Sequence, residues 1–326
     1  MKNLNIKSLA PRLAVAVILL TLPFWARLFT MQLTIRGMYL SILAMSFILL
    51  AGYGDMMSLA QMSFATMAGY VVGIGVMKYG LSHGILVPLS LLGGVLLSAL
   101  FGLIAIRAHK IYFLMMTLAL SQLFYGVGMT WASMTGGTDG YTGISRPELF
   151  GISFGESTPM YYLTLACTIF SYFALKRLIQ SPFGIALQGI RDNPKRMAAL
   201  GFNVQLHRYI TIVISGFIAS IAGLMTVYFT GVVLPDRAHL PSSILVVMAA
   251  LIGGVTMLKG GLLGGVLMAF IISVTGQYTM RYWTVIGTLF ILVVMFLPNG
   301  FIGGDGKMKT LINSFYLKLK SKILKP

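Results

Sequence analysis

Five polar side chains sit inside otherwise apolar stretches: Gln61, Ser63, Thr117, Ser121 and Gln122. Amides and hydroxyls both donate and accept hydrogen bonds. In such settings they either line a path for a small polar solute or tie neighbouring helices together. Thr117 and Ser121 are four residues apart, which puts them on one helical face. Asp55, in Gly52-Tyr53-Gly54-Asp55, carries a charge beside an apolar run. At membrane depth such a group is costly and usually functional, whereas at a boundary its carboxylate stays wet. Chemistry that makes or breaks bonds has little support. No nucleophile–base pair or pair of carboxylates stands at useful spacing, so no enzyme is expected. His83, His109, His207 and His239 are scattered without paired ligand spacing, and no metal site is expected. Cys167 is the single cysteine, which excludes a disulfide framework within the chain. No phosphate-binding Walker A sequence is present, so the chain does not itself hydrolyse ATP.

The elements that position these groups follow from composition. Of 326 residues, 57% are hydrophobic and 10% charged, against about 25% charged in an ordinary soluble domain. A water-soluble fold would lack the charge to cover its surface, so the chain is read as solvated by lipid. Apolar segments fall near 13–29, 37–53, 57–77, 85–106, 111–133, 160–179, 209–231, 242–258, 261–280 and 282–298. The expectation is an all-α integral membrane protein, a polytopic bundle of about ten hydrophobic segments in one transmembrane domain, 1–326. Segments 57–77 and 242–265 are short or glycine-broken and suit half-spanning or re-entrant pieces. The first segment, flanked by Lys2, Lys7 and Arg12, is read as a retained anchor, because no small-residue cleavage pattern follows it.

Lys and Arg number 24 against 7 Asp and Glu. Placing both termini in the cytoplasm collects most of the cations on that side. Among them are Arg107, Lys110, Lys176, Arg177, Arg191, Lys195, Arg196, Arg208 and a basic tail over 304–326. The cations flank spans and form no RNA- or DNA-reading motif, so no nucleic-acid partner is expected. Small residues recur at four-residue spacing: Gly69 and Gly73; Gly94, Ser98 and Gly102; Ser215, Ala219 and Gly223; Gly261 and Gly265. Each series suits a close helix–helix seam. Gly253, Gly254 and the Gly260–Gly265 cluster also suit hinges or a broken helix beside a pathway. Gly136, Gly137, Asp139, Gly140 and Gly143 make a turn-rich loop on the opposite side. That loop either covers a cavity mouth and receives a partner or is a structural turn cluster.

Residues 181–208, SPFGIALQGIRDNPKRMAALGFNVQLHR, form a long basic loop on the cytoplasmic side. Ser181-Pro182 opens a short helix running from Phe183 to about Ile190. Arg191-Asp192-Asn193-Pro194 stops it, and a second helix from about Pro194 ends at Gly201. Such a helix, with Phe183 at its tip, suits docking into a partner's groove; an ordinary loop is the equal alternative.

That stretch resembles the coupling loop of the LivM-type permeases of branched-chain amino-acid ABC importers. The likeness continues in AGYGDMMSLAQMSFATMAGY (51–70), IYFLMMTLALSQ (111–122), TGGTDGYTGISRPELFG (135–151), LIGGVTMLKGGLLGGVLM (251–268) and FLPNGFIG (296–303). It covers about residues 35–303 in the same order. The resemblance implies a multi-pass permease of the cell inner membrane. Its expected partners are a second permease subunit, two ATPase subunits that bind the ATP, and a periplasmic or surface solute-binding protein. The implied cargo is a branched-chain amino acid, with urea or a short amide as alternative; an ion-coupled secondary transporter is the alternative of another class. Phe183, Gly184, Arg191, Asp192, Ala198, Ala199 and Gly201 are then expected to make or shape the ATPase contact. Gln61, Ser63, Thr117, Ser121 and Gln122 would lie on the substrate pathway, and Gly137, Asp139 and Gly140 in the outside loop. Two departures stand out. Met197-Ala198-Ala199 lacks the acid of the Glu-Ala-Ala that many such permeases carry. Ala60-Gln61-Met62 stands where relatives commonly have Gly-His-Gly.

Overall fold

The structure, a computed structural model, describes residues 19–149, 152–154, 156–278, 282–296 and 300–301. The basic tail 304–326 and the start of the anchor segment 13–29 lie outside the described residues. A helical stretch over residues 19–25 leads into α1 (Leu28–Gly54), α2 (Gln61–Met77), α3 (His83–Ala105) and α4 (Ile111–Thr130). After the glycine-rich loop come α5 (Ser157–Gln180), the short α6 (Pro182–Asp192) and α7 (Pro194–Ala199), and α8 (Val204–Thr230). The chain closes with α9 (Leu240–Gly253), α10 (Leu258–Tyr278) and α11 (Tyr282–Phe296).

The all-α expectation holds. Among the described residues six helices (α1, α3, α4, α5, α8 and α10) are long and apolar enough to cross a membrane. α2, α9 and the apolar part of α11 are shorter, so the structure does not confirm a count of about ten spans. The shortfall has local causes. α1 ends in a left-handed turn at Asp55 (φ 54°), and residues 55–60 run without helix, so α2 begins only at Gln61. α9 has 14 residues, about 21 Å at the helical rise, and stops at Gly254, whose φ of 110° no L side chain adopts readily. Asp55 itself is exposed.

Burial separates the helices into two groups. The most apolar windows of α1 and α8 are 72% and 78% buried, against 22% for α4 and 33% for α3. α1 and α8 therefore form the centre, and α3 and α4 present apolar flanks outward, as lipid-facing helices do. α1 packs against α10, α8 and α5; α8 packs against α2 and α3.

The small-residue series lie on these seams. A side chain on Gly265 would collide with the Ser41 backbone of α1, and one on Gly94 with Ser220 of α8. Gly253 and Gly264 face each other across an antiparallel α9–α10 hairpin at backbone contact. Without a hydrophobic drive between helices in lipid, such close approach and its dispersion energy supply the attraction.

Strand pairing is minimal but placed to matter. β1 (Tyr141–Thr142), from the glycine-rich loop, pairs antiparallel with β4 (Val232–Val233), just after α8. β2 (Glu148–Leu149) and β3 (Ile152–Ser153) form a second small hairpin.

Candidate functional site

Two regions combine chemistry with accessibility. The first is the α6–α7 loop. Ser181 Oγ accepts from the Gly184 N–H (3.4 Å) and Pro182 occupies the first turn, so α6 starts where its capping signal stands. Asn193 Oδ1 accepts from the Arg196 N–H (3.0 Å) to open α7. Gly201 (φ 89°) closes it. Gly184, Ala186, Leu187 and Ile190 face inward and are buried. Gly184 is needed there because a Cβ would strike the Leu178 and Ile179 carbonyls at the end of α5. Arg191 Nη1 donates to the Gly52 carbonyl at the end of α1 (2.8 Å). Its Nη2 pairs with Asp192 (3.0 Å).

Phe183 is not a free tip. It stacks on His207 (centroids 5.2 Å, interplanar 11°), with Phe202 edge-on to the same imidazole. This contact fixes α6 to the start of α8. The apolar groups that project are instead Ile185 and Leu200, 64% and 68% exposed, beside exposed Ala198, Ala199 and Gly201. Lys195 and Arg196 are exposed with them. An apolar centre with a basic rim, held by a rigid base, is a protein-docking surface in form. Ile185 and Leu200 escaped sequence reasoning; Ile185 lies off the buried stripe Gly184, Ala186, Leu187 and Ile190 of α6, and Leu200 caps α7, of which no residue is buried.

The second region lies in the bundle. The five sequence-selected polar side chains split between two hydrogen-bond relays, a strand-like turn and one amide. Gln61 Nε2 donates to Ser215 Oγ (2.9 Å), which donates to the Ser46 carbonyl (3.0 Å), joining α2, α8 and α1. Gln61 Oε1 accepts from Ser58 Oγ (3.1 Å). Ser63 Oγ and Ser121 Oγ are 2.6 Å apart, and Ser121 Oγ donates to the Ala238 carbonyl (3.3 Å). Thr117 Oγ1 accepts from the Leu59 N–H (3.2 Å) and holds the α1–α2 link on α4. The Gln122 Nε2 is buried without a hydrogen-bond partner among the described residues. Four of the five thus tie elements of the bundle together, and none of the five lines the cavity between the core helices.

That cavity, of about 180 Å³, lies between α1, α2, α8, α9 and α10. Its wall is apolar at Leu43, Met62 and Leu245 and polar at Tyr39, Thr66, Thr226, Ser242 and Arg237. Arg237 belongs to a 3₁₀ turn, Pro235–Ala238, that follows β4. The turn is fixed from three sides: β1 pairs with β4, Ser121 holds the Ala238 carbonyl, and Arg237 Nη2 donates to Thr230 Oγ1 (3.3 Å). The glycine-rich loop serves the same segment. Gly140 (φ 60°) lets the chain pass so close to Val233 that a Cβ would strike its carbonyl. Gly137 is buried and Asp139 exposed, its carboxylate accepting from Thr138 Oγ1 (3.4 Å). Arg237 was not among the residues singled out from the sequence; the apolar Val232-Val233-Leu234 ahead of it, with Val233 buried, is the mark of a connection that dips inward.

Among the described residues no group of His, Cys, Asp and Glu could hold a metal ion. The family described as the branched-chain amino acid transport system permease component matches residues 29–297. The chain is similar to the high-affinity branched-chain amino acid transport system permease protein LivM of Salmonella typhimurium, 23% identical over 89% of this chain and 74% of the relative. It is likewise similar to LivM of Escherichia coli, 22% identical over 89% of this chain and 73% of that protein. A probable LivM of Methanocaldococcus jannaschii is 25% identical over 71% of this chain and 70% of its own length. No solved structure matches the chain.

Proposed function

Because the chain belongs to the family of branched-chain amino acid transport system permease components, we propose that it is one of two permease subunits of an ATP-driven importer of branched-chain amino acids. Two ATPase subunits bind the ATP and a solute-binding protein delivers the cargo; this chain supplies the membrane path. Its α6–α7 end faces the cytoplasm with both termini, in the inner membrane, as the clustering of cations at that end supports.

The observation that carries this reading is the α6–α7 surface. Its inward face is anchored through Leu187, Ile190 and Arg191, while Ile185, Leu200 and the exposed Ala198, Ala199 and Gly201 are left for a partner. Gly184 and Phe183 shape it from beneath, and Arg191–Asp192 closes its edge. A secondary transporter has no use for such a face. The named relatives favour branched-chain amino acids over urea or amides as cargo.

The chain is to be expressed with the neighbouring importer subunits and reconstituted in proteoliposomes. The ATPase subunits are expected to co-purify, and uptake of tritiated L-leucine to require both ATP and the binding protein. Uptake driven by an ion gradient with no ATPase present would overturn the reading.

A further inference from the structure

The bundle encloses a charge that the protein does not neutralise. Arg237 lines the central cavity, and its guanidinium is largely stripped of solvent. Among the described residues no carboxylate comes within ion-pair distance of it; the neighbouring Asp236 is turned to His239 (4.0 Å) and is exposed. Of the five donors on a guanidinium, one reaches Thr230 Oγ1. Arg237 interacts electrostatically with the Tyr39 phenol, which also lines the cavity, and with a second cation, Arg36. A partly buried cation facing a like charge is costly unless an anion joins it.

We propose that the cavity holds the transported solute as a zwitterion and that Arg237 clasps its carboxylate; this rests on the permease reading above. The remaining chemistry of the wall fits the rest of such a molecule. Thr66 Oγ1 donates to the Met62 carbonyl (2.7 Å) and Thr226 Oγ1 to the Ala222 carbonyl (2.7 Å). With their protons directed back into their own helices, both hydroxyls turn lone pairs outward, which accept from an ammonium group. Leu43, Met62 and Leu245 form the apolar side. A volume of about 180 Å³ is small beside pockets for drug-sized ligands, at roughly 300–1,000 Å³, and suits a single amino acid. A neutral amide would leave the guanidinium unneutralised, whereas a carboxylate meets it with two parallel hydrogen bonds.

Arg36 extends the same logic outward. It lines two outer pockets of 320 and 280 Å³, and the second shares Ile272 with the central cavity. The larger outer pocket also carries Arg146 and Glu156, so a zwitterion meets both signs of charge there before its carboxylate reaches Arg237.

The test uses the complete importer in proteoliposomes with tritiated L-leucine. R237Q is expected to lower the rate of ATP-driven uptake about 30-fold or more, as removal of one partner of a desolvated charge pair does. T230V, which removes the hydrogen bond that Arg237 makes within the protein, is expected to lose only a few-fold. Uptake by R237Q at the wild-type rate overturns the proposal, and so does a T230V loss as large as that of R237Q, since Arg237 would then be holding its loop and not a ligand. Should R237Q fail to assemble, R237K decides: it keeps the charge but loses the planar fork, and is expected to reduce uptake about tenfold. An unchanged rate in R237K then overturns the proposal. Absence of ATP-driven uptake by the wild-type importer would instead sink the permease reading itself.

Discussion

The central cavity and the α6–α7 surface are opposites in what each leaves uncompensated. At the cavity the threonine hydroxyls are engaged within the protein, Thr66 and Thr226 each on its own helix. A cation remains over. On the α6–α7 surface the opposite holds. Arg191 is paired with Asp192 and bonded to Gly52, and apolar groups, Ile185 and Leu200, are left bare. An uncompensated buried charge calls for a charged small molecule; bare apolar groups on an exposed face call for another protein's apolar surface. The difference teaches where to look for function in a helical bundle: at the groups whose physical chemistry the fold leaves unfinished.

Three variants break or sharpen this contrast. Gly265→Leu has the largest expected effect, because it drives a side chain into the Ser41 backbone and separates α10 from α1. Overpacking by several carbons at a backbone contact costs at least about 3 kcal/mol, and both regions are lost together. Size-exclusion chromatography of the detergent-solubilised complex should show no assembled species.

Ile185→Asp combined with Leu200→Asp separates the two regions. Both residues are exposed, so the melting temperature of the isolated subunit should stay within about 2 °C. Uptake should fall at least about tenfold, as for loss of a docking anchor, with the ATPase subunits no longer co-purifying. Wild-type uptake in this variant would remove the α6–α7 surface from the transport cycle.

Ser121→Ala is the mildest. It withdraws the hydroxyl from the Ala238 carbonyl and loosens the turn that carries Arg237. One neutral hydrogen bond is worth about 1 kcal/mol, so leucine uptake should drop only a few-fold while ATPase co-purification is unaltered. A defect confined to co-purification would contradict the separation of the two regions.

Legibility in the sequence follows how local each signal is. The limits of α6 and α7 were readable because Ser181-Pro182, Asn193-Pro194 and Gly201 act within one turn of where they stand. The close seams were readable because Gly261 and Gly265, or Gly94 and Ser98, fall on one face by spacing alone. Their partners were not, since the chain segments they meet, near Ser41 and Ser220, are remote in sequence. Phe183 shows the same limit at short range. Its helix was located, but His207 across the loop turned a docking tip into a stacked anchor. The cavity was the least legible part, because its wall joins Tyr39 to Ile272 and its charge sits in a short connection between helices. Gln61, Ser63, Thr117 and Ser121 were found by their polarity, which signals that a group must be satisfied but not by whom.

The hold of Arg191 on Gly52 gives α6 a grip on one end of α1, and Tyr39, Leu40 and Leu43, farther along that helix, form part of the cavity wall. The two places are roughly 20 Å apart along a single hydrogen-bonded rod. Such a rod resists stretch and compression along its axis, so a shove delivered at α6 reaches the wall as displacement, with no cascade of side-chain rearrangements between. α1 is thus one continuous member between the α6 end and the cavity wall, with the Gly261–Gly265 face of α10 packed along it at Met45 and Ser41.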